Sequence, residues 1–155
     1  MQNVDELIQD TNCALGRPLK LPHQAASIAM NLFLLSQVYG LAEDPRVRDL
    51  GGRFKTAVRA AGLEEVLSNQ LRYAIRLASA PGRLMFEEIH KLFSLCDEVH
   101  ALRALGFAAD AQLLADFEAS VSGRFAAQRA DACVAAEHGV EPWSRNLWWF
   151  ANNLP

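Results

Sequence analysis

Hydrophobic positions recur along this chain at three- and four-residue intervals, and Gly, Pro and Asn or Asp separate one run from the next. That pattern predicts amphipathic helices. Val4, Leu7, Ile8, Ala14 and Leu15 form the apolar stripe of a first helix, Val4 to Leu15, with Asn3 as N-cap and Gly16 as stop. Its acidic first turn suits the helix dipole. A second helix opens at Pro22, closes at Gly40 and is apolar on most sides, as a central helix is. Asp44-Pro45 starts a third helix that Gly62 ends, and Gly51-Gly52 predicts a kink or two short helices there.

A fourth helix, Leu63 to Ala78, places Leu63, Val66, Leu67, Leu71, Ala74, Ile75 and Ala78 at helical spacing before Pro81-Gly82 breaks the chain. The fifth, Arg83 to Leu105, carries Met85, Phe86, Ile89, Leu92, Phe93, Cys96, Val99 and Leu102 on one broad face and ends at Gly106. The sixth spans Ala108 to His138 with a bend expected at Gly123, turns Leu113, Leu114, Phe117, Val121, Phe125 and Val134 inward, and stops at Gly139. A short Trp-rich helix follows Pro142. No β-type alternation, internal repeat or low-complexity tract interrupts the series. The expectation is an all-α chain: a single helical domain over residues 1–155, a bundle of about six or seven helices with two long helices in its C-terminal half.

Composition agrees with a folded helical domain, since 155 residues can bury a continuous core and 51% are hydrophobic against 21% charged. One stretch, Leu21 to Ala42, has no charged residue and the length of a membrane span. Pro22, His23, Gln24, Ser27, Asn31, Ser36, Gln37 and Gly40 interrupt it, however, and its unbroken apolar run is only Leu32 to Leu35, so a buried helix is expected and no membrane. Met1 to Asp10 lacks the basic residues of a signal peptide. Cys13, Cys96 and Cys133 are odd in number and widely spaced, which fits a reducing cytoplasm rather than a disulfide framework or zinc site.

Charge is unevenly placed. Residues 45–83 carry Arg46, Arg48, Arg53, Lys55, Arg59, Arg72, Arg76 and Arg83 against Asp49, Glu64 and Glu65, a local +5 that leaves −8 on the remainder and −3 overall. The first seven of these cations are candidate contacts to nucleic-acid phosphates or to an acidic protein. Only Phe54 and Tyr73 could stack on bases within that segment, and an isoelectric point near 5.8 is far from that of a typical nucleic-acid binder. The preference for Arg over Lys fits GC-rich bacterial coding.

Chemistry-bearing motifs are few. Glu87-x-x-His90 and Asp97-x-x-His100 resemble the half-motif of di-iron helical proteins, but ten residues on one helix separate the pairs by about 15 Å, so they are expected to be solvent-edge charges and not a shared metal site. His23, Ser27 and Asn31 form an i, i+4, i+8 stripe that either lines a small pocket or is the wet edge of its helix. Gly51-Gly52-Arg53 lacks the preceding strand of a phosphate cradle, and no GxSxG, GxGxxG, P-loop or HExxH occurs. No catalytic residue, metal or cofactor is assigned.

The C-terminus holds all three tryptophans. Leu147 to Phe150 are apolar around the whole helix circumference and cannot all face one core. Trp143 and Leu147 are expected to pack inward, leaving Arg145, Trp148, Trp149 and Phe150 as candidate partner contacts. Together these features favour a non-catalytic cytoplasmic helical protein that binds another macromolecule, either another protein or a second copy of itself. The alternatives are a nucleic-acid-binding accessory module and a small-molecule or metal-dependent helical enzyme using His23, Asn31, Glu87 or His90.

Overall fold

The structure is a computed structural model and describes residues 3–139. The expected helix after Pro142 lies outside the described residues. Within them every regular element is helical: α1 (Val4–Leu15), α2 (Pro22–Phe33), a π-helical turn (Leu34–Val38), α3 (Pro45–Ala60), α4 (Val66–Ala78), α5 (Phe86–Ala104), α6 (Ala111–Ala127) and α7 (Arg129–Gly139). The all-α expectation holds, and no described helix is long and apolar enough to cross a membrane. Contacts divide the chain into two compact units, Met1–Asn69 with His100–Ala108, and Gln70–Val99 with Ala109–Pro155.

The first unit contains α1, α2, the π turn and α3. A capping box fixes the start of α1: the Glu6 N–H donates to Asn3 Oδ1 at 2.8 Å and the Asn3 N–H to Glu6 Oε2 at 3.4 Å. Leu7 and Thr11 are its buried positions, and the Thr11 hydroxyl is satisfied by the Leu7 carbonyl at 2.7 Å. Ala25, Ala26, Ile28, Ala29, Leu32 and Phe33 are buried on α2. Four turns of α3 bury Val47, Leu50, Phe54 and Val58 in one stripe.

The second helix does not continue as a regular α-helix to Gly40. The Ser36 hydroxyl donates to the Leu32 carbonyl at 2.7 Å, competing for the acceptor a regular turn would use, and the chain widens so that the Tyr39 N–H reaches Leu34 O at 2.8 Å. The third helix departs from expectation in the other direction, since α3 runs unbroken through Gly51-Gly52. Two glycines cost a helix roughly 2 kcal/mol relative to alanines, too little to break one whose buried stripe continues on both sides. Gly62 has φ +68° and closes α3: Leu63 N–H donates to Val58 O at 2.9 Å and Gly62 N–H to Arg59 O at 3.1 Å. Leu63 is thereby held in a turn, and α4 begins at Val66 rather than at Leu63.

In the second unit Phe93 stacks on Phe125 with ring centroids 4.5 Å apart. Phe117, Val121 and Phe125 are buried on α6, while Leu113 and Leu114 are half-buried. Three expectations fail in this unit. Met85 and Phe86 are 65% and 45% exposed because the Met85 N–H donates to Glu88 Oε1 at 2.9 Å, which starts α5 at Phe86 and leaves both residues outside its buried face. The expected long sixth helix is two helices, and the break is at Gln128 instead of Gly123.

Side-chain hydrogen bonding accounts for that position. Gln128 is buried, accepts from the Leu84 N–H at 2.9 Å and donates to the Leu84 carbonyl at 3.0 Å, so its amide pairs with a buried peptide group. One turn earlier Arg124 donates to the carbonyls of Ala78 at 2.8 Å and Gly82 at 2.7 Å, to that of Ala80, and to Gln128 Oε1 at 2.9 Å. These carbonyls lie where α4 ends and have no helical partner of their own. After the break α7 buries Ala132, Ala135 and Ala136 and leaves Val134 49% exposed, contrary to its expected inward orientation.

Arg124→Met and Gln128→Ala should each lower unfolding free energy by about 2–3 kcal/mol, because each strands buried or half-buried backbone groups. Urea denaturation followed by far-ultraviolet circular dichroism measures this, and unchanged midpoints would show that the α4–α5 connection does not depend on the clamp.

Candidate binding groove

The burial of Val47, Leu50, Phe54 and Val58 sets the rotation of α3 and sorts its cations into two rows. At about 100° per residue, Arg46 and Arg53 fall together beside one edge of the stripe, while Arg48, Lys55 and Arg59 fall within about 40° of one another elsewhere on the helix.

Arg46 and Arg53 are turned to α1. Arg46 bonds Asp5 Oδ1 at 3.3 Å and Asp44 Oδ2 at 3.1 Å; Arg53 bonds Asn12 Oδ1 at 2.5 Å and lies 3.8 Å from Asp49. Hydrogen bonds from the Arg46 side chain and backbone hold the Asp44 carboxyl below its ordinary pKa, and the Asp44 carboxylate raises that of Arg46. Arg46 and Asp5 are exposed, so the pair that reaches α1 orients it on α3 more than it stabilises it, while Asp44, half-buried at the N-cap, pairs with Arg46 inside α3 itself.

Part of the other row borders a groove of about 370 Å³, walled by Leu32, Ser36 and Gln37 from α2 and the π turn and by Val47, Phe54 and Leu105, with Arg59 one turn beyond this lining. Arg48 and Lys55 stand at its edge, and Gly51 and Gly52 lie between them. Among the described residues, a Cβ placed on either glycine would meet nothing within 4 Å, so packing among them does not require glycine at either position. Both residues sit in ordinary helical backbone, where alanine is preferred. Their effect is to leave the main chain of α3 open to close approach along the groove. The widened Leu34–Val38 turn forms part of the same wall, and such turns recur at functional sites. Chemically the groove offers an apolar bed with cations along one side, suited to an apolar segment bearing acidic groups.

The other sequence-level candidates are elsewhere. His23 and Ser27 are exposed and Asn31 is half-buried, on the α2 face away from its buried alanines, and none lines this groove. Arg72 and Arg76 belong to α4 in the second unit, where Arg76 lies 5.9 Å and Lys91 5.6 Å from the ring centre of Tyr73. Phe54, the other aromatic of the basic segment, is 1% exposed and closed to base stacking. Arg145, Trp148, Trp149 and Phe150 lie outside the described residues.

The described residues contain no group of three His, Cys, Asp or Glu side chains that could hold a metal. His90 stacks on Phe86 at 6.4 Å, and His100 meets Phe33 edge-on at 5.2 Å. Burial, with Arg103 nearby, pushes the His100 pKa below its ordinary 6.5. Cys96 is fully buried, and burial with the neighbouring Asp97 charge raises its pKa well above the thiol range, so it packs as an inert apolar group. Sequence reasoning missed the groove itself. Its one available signal was Gly51-Gly52, which pointed to a helix break when considered without knowledge of what the glycines face.

Gly51→Ala and Gly52→Ala should each raise unfolding free energy by up to about 1 kcal/mol, detectable as an increase in Tm. Destabilisation at either site would mean that α3 needs glycine for packing. A separate test concerns His100, whose lowered pKa means that the folded state binds its proton less readily than the unfolded chain. Stability should therefore fall as pH drops below about 6.5 and continue falling toward the lowered value, and His100→Leu should flatten the change in urea midpoint between about pH 7.5 and about pH 5.5. An unaltered slope would place the acid sensitivity elsewhere. No protein-family model matches the sequence, and neither a curated protein nor a solved structure matches it.

Proposed function

We propose that this chain is a cytoplasmic helical protein that works by binding another protein, with the groove beside α3 as its docking site. The observation that carries this reading is the Gly51-Gly52 pair: it lowers the helix-forming tendency of α3, answers no packing need among the described residues, and opens the backbone along an apolar groove. Functional surfaces commonly retain such local departures from maximal stability.

A photo-crosslinking amino acid at Gln37, on the groove wall, should yield a protein adduct in host cells, while the same group at Glu118 on α6 should not yield that adduct. Combining Gly51→Ala with Gly52→Ala should reduce the Gln37 adduct while leaving the chain at least as stable. Absence of any Gln37-specific protein adduct would refute docking at this groove.

A second reading, single-stranded nucleic-acid binding, draws on the second unit, where Tyr73 is 42% exposed beside Arg76 and Lys91 and adjacent to Arg72. Under it, affinity for a labelled single-stranded oligonucleotide would fall by about 0.7 log units in affinity per phosphate contact for each tenfold increase in salt. Anisotropy titrations showing no binding at about 50 mM salt would remove that reading.

A further inference from the structure

We propose that the element seated in the groove is an acidic helix of the partner protein, lying alongside α3. This rests on the reading of the groove as a protein-docking site and adds the chemistry of what docks. Arg48, Lys55 and Arg59 occupy positions i, i+7 and i+11 of α3 and extend about 16.5 Å along one line. A helix bearing carboxylates at the corresponding spacing presents them along an equally straight ridge, whereas an extended strand covers the same length in about five residues and turns alternate side chains away.

The cations are available for such a partner. Among the described residues only Arg48 of the three has an ion-pair contact, to Glu43 at 3.6 Å, with side chains 68% and 90% exposed. A pair this exposed contributes little and exchanges readily. The groove floor supplies the second half of the match. Without a Cβ at Gly51 or Gly52, a docked helix can approach the α3 main chain closely, and small apolar side chains on its inner face can meet Ala42 and the half-buried Leu105. Nucleic acid would use the cations but not the apolar wall, and the groove exposes no aromatic ring for a base, since Phe54 is buried. An acidic segment would also be guided to this row, which stands out on a chain whose net charge is −3.

The test uses the full chain carrying the photo-crosslinking group at Gln37, with the adduct digested and sequenced by mass spectrometry. The expected segment has net negative charge and helical periodicity, with Asp or Glu spaced along one edge of its apolar face. Adduct yield should fall at least about tenfold in the charge-reversed variant R48E/K55E/R59E, as should the affinity of a synthetic peptide of that segment when salt is raised. These side chains are exposed, so circular dichroism should show an unchanged fold; should reversal perturb it, R48Q/K55Q/R59Q removes the charges more gently and should lower the yield in the same direction. A neutral or basic crosslinked segment, or a yield unmoved by removing the charges, overturns the acidic-helix inference while leaving groove docking intact. Loss of the Gln37-specific adduct in the unaltered protein would refute both.

Discussion

Burial of Val47, Leu50, Phe54 and Val58 is the constraint from which most features of the first unit follow. Once that stripe faces inward, α3 can adopt only one rotation about its axis, and the direction of every other side chain on it is decided. Arg46 and Arg53 are then close enough to α1 to bond Asp5 and Asn12, while Arg48 and Lys55 are carried to the groove edge and Arg59 continues their line along the helix. Burying these large apolar side chains is worth roughly 1.5–3 kcal/mol apiece, more than an exposed ion pair contributes. The electrostatic surface is therefore a consequence of apolar packing, and the cations of α3 become two rows with different surroundings.

Satisfaction of backbone polar groups governs where the helices stop. At Gly62, a positive φ lets the last turn of α3 close on itself. At Ser36 a hydroxyl takes a main-chain acceptor and the helix widens into a π turn without ending. At Gln128 a side-chain amide pairs with the peptide of Leu84, and Arg124 gathers the carbonyls beyond the end of α4. The last case shows why local sequence can mislead: a glycine inside a helix is a modest cost, whereas a buried peptide without partners costs enough to redirect the chain.

Groove formation joins these two themes. The π turn contributes Ser36 and Gln37 to one wall, the rotation of α3 brings Gly51 and Gly52 to the opposite side, and Leu105 adds an apolar surface near the Gly106 turn, where φ is +93°. None of these residues has unusual chemistry alone. Their combination leaves an apolar bed beside exposed positive charge, an arrangement suited to recognition by shape and charge.

What the sequence determined by itself was the class of the fold and most of its punctuation. Asn3, Pro22, Asp44-Pro45, Gly62 and Gly106 act through local hydrogen bonds and backbone preferences, so they mark helix ends without knowledge of the surroundings. The His23, Ser27 and Asn31 stripe was likewise legible as one face of α2, on which His23 and Ser27 are exposed and Asn31 is half-buried. Tertiary structure decided the rest, because each outcome depends on partners remote in the chain. Gln128 breaks a helix only because Leu84 presents a peptide to it, and Met85 and Phe86 lose their expected burial only because α5 starts where Glu88 caps Met85. The basic segment divides because α1 stands beside one row of α3 cations and the groove beside the other, a distinction between Arg46 and Arg48 that two identical side chains cannot carry in their own chemistry.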